Sequence, residues 1–160
     1  MAARRPSLHV DIKTSAWRKP WPTAAADMRR LLALAADWPE LKGRARGEVT
    51  VVFADDATLR ALNARFRGKD KPTNVLSFPD GEMPPGGGIA LSFDTIAAEA
   101  KDQGKPLVNH AKHMILHGFL HLMGYEHDTP RAARLMEGLE IAMLARMGIP
   151  NPYLIEKPRA

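Results

Sequence analysis

His117-Gly118-Phe119-Leu120-His121-Leu122-Met123-Gly124-Tyr125-Glu126-His127 is the stretch from which the rest of this chain is read. His117 and His121 are four apart, so on a helix their imidazoles share one face, with Cβ atoms about 5–6 Å apart. Gly124 lets the backbone leave the helix, because glycine accepts the left-handed conformation of a helix C-terminus without steric cost. The turn then carries His127 back towards the first two. Three neutral imidazoles meeting at one point make a metal site with an open fourth position. That is the arrangement of a catalytic zinc rather than a closed structural one.

The plain alternative is a histidine-rich core helix. All but one of the 6 histidines fall between positions 110 and 127: His110, His113, His117, His121 and His127. Their neighbours are apolar: Met114, Ile115, Leu116, Phe119, Leu120, Leu122 and Met123. Burying an unpartnered polar group costs about 1–3 kcal/mol. A metal removes that cost for three of the imidazoles. His110 and His113 read instead as supporting, solvent-facing or nucleic-acid-facing residues.

Working outward, 160 residues suit a single domain (1–160) with an ordered core over about 8–148. Hydrophobic content of 45% and charged content of 26% are ordinary for a soluble globule. The sequence has no cysteine, which excludes disulfide partners and thiolate ligands or nucleophiles. Any metal must be held by nitrogen and oxygen. This composition fits a reducing cytoplasm. No apolar run is long enough to span a bilayer, so no membrane partner is expected. The segment Met1–Ser7 starts positive but has no apolar stretch after it, so it does not read as a secretion signal.

Net charge is +5 and the pI about 9.7, which favours an acidic partner such as nucleic acid. The surplus is concentrated. Arg60, Arg65, Arg67, Lys69 and Lys71 are opposed only by Asp70 within that run. Alone, the cluster is a solvated helix end and loop. Beside a hydrolytic metal it becomes a phosphate-binding surface.

Periodicity supplies the remaining elements. Positions 8–13 alternate apolar and polar, positions 48–53 are β-branched, and 73–78 and 89–93 read as two further strands. Thr23 is expected to cap a helix through Met28, Leu31, Leu32, Leu34 and Ala35, ended by Gly43 and Gly47. Asp55 or Asp56 caps a second helix, stopped by Gly68. Asp94 caps a third. The histidine helix covers about 108–123, and Thr129-Pro130 opens the last one. The fold class is therefore α+β: a small mixed sheet of about four strands covered by about five helices, with the metal site on a helix of the C-terminal half and its following turn.

Two long blocks carry a family likeness. One is the histidine string itself. The other is Leu62-Asn63, then Arg65-Phe66-Arg67-Gly68-Lys69-Asp70, then Pro72-Thr73-Asn74-Val75-Leu76-Ser77-Phe78-Pro79. Together they closely resemble the YbeY family of bacterial endoribonucleases, over roughly residues 8–148. The resemblance implies a zinc-dependent, single-strand-specific endoribonuclease. It would act in ribosomal RNA maturation, notably at the 3′ end of the small-subunit RNA, and in ribosome quality control, with ribosomal RNA and small-subunit assembly proteins as partners. His117, His121 and His127 would hold one zinc ion. Arg60 and His117 would be the catalytic pair. Arg65, Arg67, Lys69, Lys71 and His113 are candidate RNA contacts. The chain departs from the family at Gly87-Gly88-Ile89, where Gly-Asp-Ile is common, and at Glu126, where aspartate is usual.

The chemistry follows from the residue types. A zinc ion on three imidazoles lowers the pKa of bound water to about 7. A guanidinium matches the charge of a phosphodiester transition state with two parallel hydrogen bonds. Either water or the ribose 2′-hydroxyl satisfies this scheme as attacker. Glu126 and Asp128 flank the third ligand and can orient imidazoles. Two rivals remain. A metallopeptidase shares the histidine and glycine spacing, but needs a glutamate where this chain has Gly118. A non-catalytic ribosome-assembly or RNA-binding factor would hold a structural metal, with Glu126 or Asp128 as fourth ligand.

Overall fold

Alternating apolar residues build the sheet. In β1 (Ser7–Ile12), β2 (Glu48–Ala54), β3 (Val75–Pro79) and β4 (Gly87–Ser92), successive side chains face opposite sides. The helices are α1 (Ala24–Ala36), α2 (Asp56–Arg67), α3 (Phe93–Gln103), α4 (Leu107–Leu122) and α5 (Pro130–Arg146), with a 3-10 turn at Ser15–Trp17. This computed structural model describes residues 6–154. Most of the segment read for a secretion signal, and positions 155–160, lie outside the described residues. The expected α+β architecture is met, with four strands and five α-helices among the described residues. No helix among the described residues is long and apolar enough to cross a membrane.

The strand order is β1-β2-β4-β3. β1, β2 and β4 run parallel, and β3 is antiparallel to β4 at the sheet edge. Parallel neighbours need crossovers. α1 supplies the first, and α2 with β3 stands between β2 and β4.

One face of the sheet, with Val49, Val51, Phe53, Ile89 and Leu91, packs into the main core with α1, α4 and α5. The other face, with Val52, Leu76, Phe78 and Ala90, meets Leu59 and Leu62 of α2. Trp17 plugs one end, its indole donating to Ala54 O at 2.9 Å and meeting Phe53 edge-on at 5.1 Å. Burial of such side chains stabilises by about 1.5–3 kcal/mol each.

Some caps are those spelled by the sequence. Asp55 Oδ1 accepts from Thr58 N at 2.9 Å, and Thr129 Oγ1 from Ala132 N at 3.0 Å. Three details differ. α1 ends at Ala36, well before Gly43, because Pro39 has no N–H to give and pushes Trp38 from the helical region. Thr23 donates to Asp27 Oδ2 at 2.9 Å and does not cap that helix through its side chain. α3 starts on Ser92, whose hydroxyl accepts from Thr95 N, whereas Asp94 reaches across to accept from Asp56 N at 2.9 Å.

One contact positions the site. A Cβ at Gly118 would lie 3.0 Å from both Ile89 Cγ2 and Ser77 Oγ. Without it, α4 lies close on β3 and β4, and Ser77 Oγ donates to Gly118 O at 3.1 Å. The histidine face of α4 is thereby set beside the β3 edge.

Candidate metal centre

α4 projects His117 and His121 from successive turns, as their spacing requires. Gly124 follows at φ +97°, where an L side chain would be strained. Gly124 N donates to His121 O, and Tyr125 N to Leu120 O, both at 3.0 Å. This turn swings His127 over the helix. The ring centroids lie 4.6 Å apart for His117 and His121, 5.3 Å for His117 and His127, and 4.9 Å for His121 and His127. One ring nitrogen from each falls within 4.8 Å of the others. Among the described residues this is the one group of three or more potential metal donors, and neither Glu126 nor Asp128 joins it.

Hydrogen bonds fix the tautomers of His117 and His121. His117 Nδ1 lies 2.6 Å from Glu140 Oε1, and His121 Nδ1 lies 2.8 Å from Tyr125 O. A carboxylate and a carbonyl can only accept, so both Nδ1 atoms carry the proton. Each Nε2 is then a bare lone pair, and the two stand 3.1 Å apart. Neither can donate to the other. A cation that accepts both lone pairs turns this repulsive contact into a ligand set, and the partnered Nδ1 atoms complete the usual pattern of a metal-binding histidine. Burial, and then the neighbouring His117, holds His121 below the ordinary histidine pKa, which keeps its lone pair free.

Glu140 is the hub. It sits on α5, fully buried. Burial alone would raise its carboxyl. Donors from His113, His117 and Tyr153 overcome that and hold it down at about 2. His113 Nε2 lies 3.3 Å from Oε2, and the Tyr153 hydroxyl donates to the same oxygen. Burial and that carboxylate push the Tyr153 phenol up.

A cleft of about 620 Å³ opens beside the triad, within the usual range for ligand sites. Its floor is the edge of β3 and the residues before it, Pro72 to Ser77. One wall is α2, with Asn63 and Arg67, and the other is α4, with His113, Met114, His117 and His121. His127, Lys69, Lys71 and Tyr153 complete the lining.

Residues 11–148 match the family described as Endoribonuclease YbeY. The chain belongs to the YbeY family. Curated YbeY endoribonucleases agree with it along most of their length. That of Chelativorans sp. is 48% identical over 143 residues, covering 83% of this chain and 86% of the relative. That of Paramagnetospirillum magneticum is 46% identical over 154 residues, covering 90% and 93%. The solution structure of TM1509 from Thermotoga maritima, at 19% identity, has a TM-score of 0.57 and covers 96% of this chain and 99% of its own. At that identity it speaks for the fold alone.

Against this YbeY frame, the cationic residues divide. Arg67, Lys69, Lys71 and His113 line the cleft with the triad. Arg65 does not: its guanidinium lies 5.1 Å from the Phe66 ring centroid. Arg60 is also outside the lining. Its Nε and Nη2 grip Asp70 at 2.7 and 3.1 Å on the exposed side of α2, and this pairing lowers the Asp70 pKa. The loop between them is pinned from beneath. Gly68 closes α2 by donating to Ala64 O, Lys69 N donates to Asn63 O, and Asn63 Nδ2 donates to Lys71 O at 2.9 Å.

His110 stands away from the triad, its Nε2 3.1 Å from Glu99 Oε1. Glu140, Tyr153 and Asn63 were not singled out from the sequence as site residues. Glu140 had a signal: a carboxylate on the same face as Met136, Leu139, Met143 and Leu144, where an apolar residue is expected. At Gly118, where a peptidase of this histidine spacing carries its glutamate, a Cβ would begin 3.0 Å from Ile89 Cγ2 and Ser77 Oγ.

Proposed function

We propose that this chain is a zinc-dependent, single-strand-specific endoribonuclease. It acts in the cytoplasm on ribosomal RNA, notably at the 3′ end of the small-subunit RNA, and in ribosome quality control with small-subunit assembly proteins. The observation that carries this reading is the pair of Nε2 lone pairs held 3.1 Å apart at the head of a cleft rimmed by Arg67, Lys69 and Lys71. Family membership supplies the substrate class.

His117, His121 and His127 hold the metal, which supplies a Lewis acid and acidified water at neutral pH. Lys69 and Lys71 bind backbone phosphates and give affinity without sequence choice. The arginine role expected for Arg60 falls to Arg67. Its Nη2 already lies 3.5 Å from Ser77 O on the cleft floor, and a guanidinium matches two phosphoryl oxygens at once. Arg60 acts at a distance, holding Asp70 and with it the loop that carries both lysines. Glu140 is not a general base, because both its oxygens are occupied by donors. It keeps His117 in the tautomer that binds metal.

The test is cleavage of labelled RNA spanning the 3′ end of precursor small-subunit ribosomal RNA, with metal quantified on the same samples. Arg67→Ala should keep metal and fold and lose about 100-fold or more in rate, the usual effect of removing one transition-state donor. Arg60→Ala should mainly weaken RNA affinity. Undiminished cleavage by Arg67→Ala would overturn its assignment. A metal-replete parent that binds this RNA without cutting it would favour the non-catalytic factor.

A further inference from the structure

Phe66 is out of place for an apolar ring. It is 56% exposed on the last turn of α2, while Phe53 and Phe119 are wholly buried. The ring is nevertheless held. Its centroid is 5.2 Å from that of Phe78, with the planes inclined by 61°. Phe78 in turn packs against the small core formed by Ala54, Leu59, Leu76 and Ala90. Cross-strand from Phe78 stands Gly88. A Cβ there would lie 4.0 Å from Phe78 Cδ2, so this glycine places no side chain against Phe78.

The surroundings are cationic and adjoin the cleft. The exposed Arg65 guanidinium sits over the Phe66 ring, 5.1 Å from its centroid, so a base that stacks there takes the place of this mobile cation or shares the ring with it. Arg67 and Ser77, the chain neighbours of Phe66 and Phe78, both line the cleft. Asp70, the one carboxylate of this run, is already paired with Arg60. A supported aromatic face beside a groove of lysines and arginines is the arrangement that binds single-stranded nucleic acid, where bases stack on rings and phosphates follow the charges.

We propose that Phe66, backed by Phe78, is a stacking platform for one unpaired nucleobase of the strand engaged by the cleft. The inference rests on the RNA-binding reading and deepens it. Bases in a duplex have both faces occupied by neighbouring pairs, so an external ring can receive only a base that is free to splay out. The platform therefore selects single strands, and the lysines alone do not.

The test uses the full, metal-loaded chain and a short single-stranded RNA carrying one 2-aminopurine, whose fluorescence falls on stacking, together with a duplex of the same sequence. Phe66→Ala should weaken single-strand binding about tenfold, abolish the quench, and leave duplex binding as it was. Phe66→Tyr should restore both signals. Phe66→Leu keeps an apolar contact on Phe78 and should fail like alanine, which separates stacking from packing. Because the ring is largely exposed, each variant should melt close to the parent. If Phe66→Ala binds and quenches like the parent, the platform is wrong and the RNA reading stands. If the parent binds no RNA at all, the RNA reading itself fails and the platform falls with it.

Discussion

The two halves of α4 carry the same side chain and use it differently. In the first half, His110 and His113 each give Nε2 to a carboxylate, Glu99 and Glu140, and leave Nδ1 buried without a partner. In the second half, His117 and His121 each give Nδ1 to an acceptor and leave Nε2 facing the other. The helix and the residue type are the same. The difference lies in which nitrogen the surroundings claim. A histidine claimed at Nδ1 offers its outer nitrogen to a shared point, and one claimed at Nε2 has only its inner nitrogen left, with nothing there to ligate.

That contrast can be broken most directly at a histidine of the triad. His121→Ala should abolish stoichiometric metal binding and lower Tm by roughly 5–10 °C, because bound metal stabilises only the folded chain. His113→Ala should keep the metal. Metal analysis and melting of both variants decide it, and equal metal loss would erase the distinction between the halves.

A smaller effect is expected at the shared carboxylate. Glu140→Gln removes the strongest acceptor from His117 Nδ1 and should weaken metal affinity about 10–100-fold without removing a ligand. The same residue has a pH consequence. Its folded-state pKa, about 2, is below the ordinary 4.5, so the unfolded chain takes up this proton first as pH falls. The stability it contributes is fully present above about pH 4.5 and is lost on the way down to about 2. Glu140→Gln should flatten that acid limb in a denaturation series.

The smallest effect should come from His110. Burial lowers its pKa from 6.5, so it too favours the fold above that value and less as pH falls. His110→Gln should shift stability at pH 8 by less than about 1 kcal/mol, reduce the loss of stability below pH 6.5, and leave metal content alone.

These differences explain what the sequence could disclose. The triad was legible because it is local: an i, i+4 pair, a glycine and a third histidine encode their own geometry. Glu140 was not, because its meeting with His117 depends on α5 docking against α4, and helical periodicity does not say which helices become neighbours. Arg60 and Arg67 are seven apart and share a face of α2, so spacing could not separate them. The Gly68 turn and Asp70 did, by folding the loop back on one and past the other. Strand number was readable from alternation. The order β1-β2-β4-β3 was not, because short apolar strands carry no mark of their partners.

The Tyr153 hydroxyl on Glu140 ties a late turn of the chain to the first histidine of the triad. A molecule whose α5 and 151–154 turn have not docked leaves His117 free to protonate either nitrogen, and so presents a weaker site. Metal uptake would thus work as an inspection of finished molecules: an ion would be retained best by chains in which His113, Glu140 and Tyr153 have all reached their places around His117.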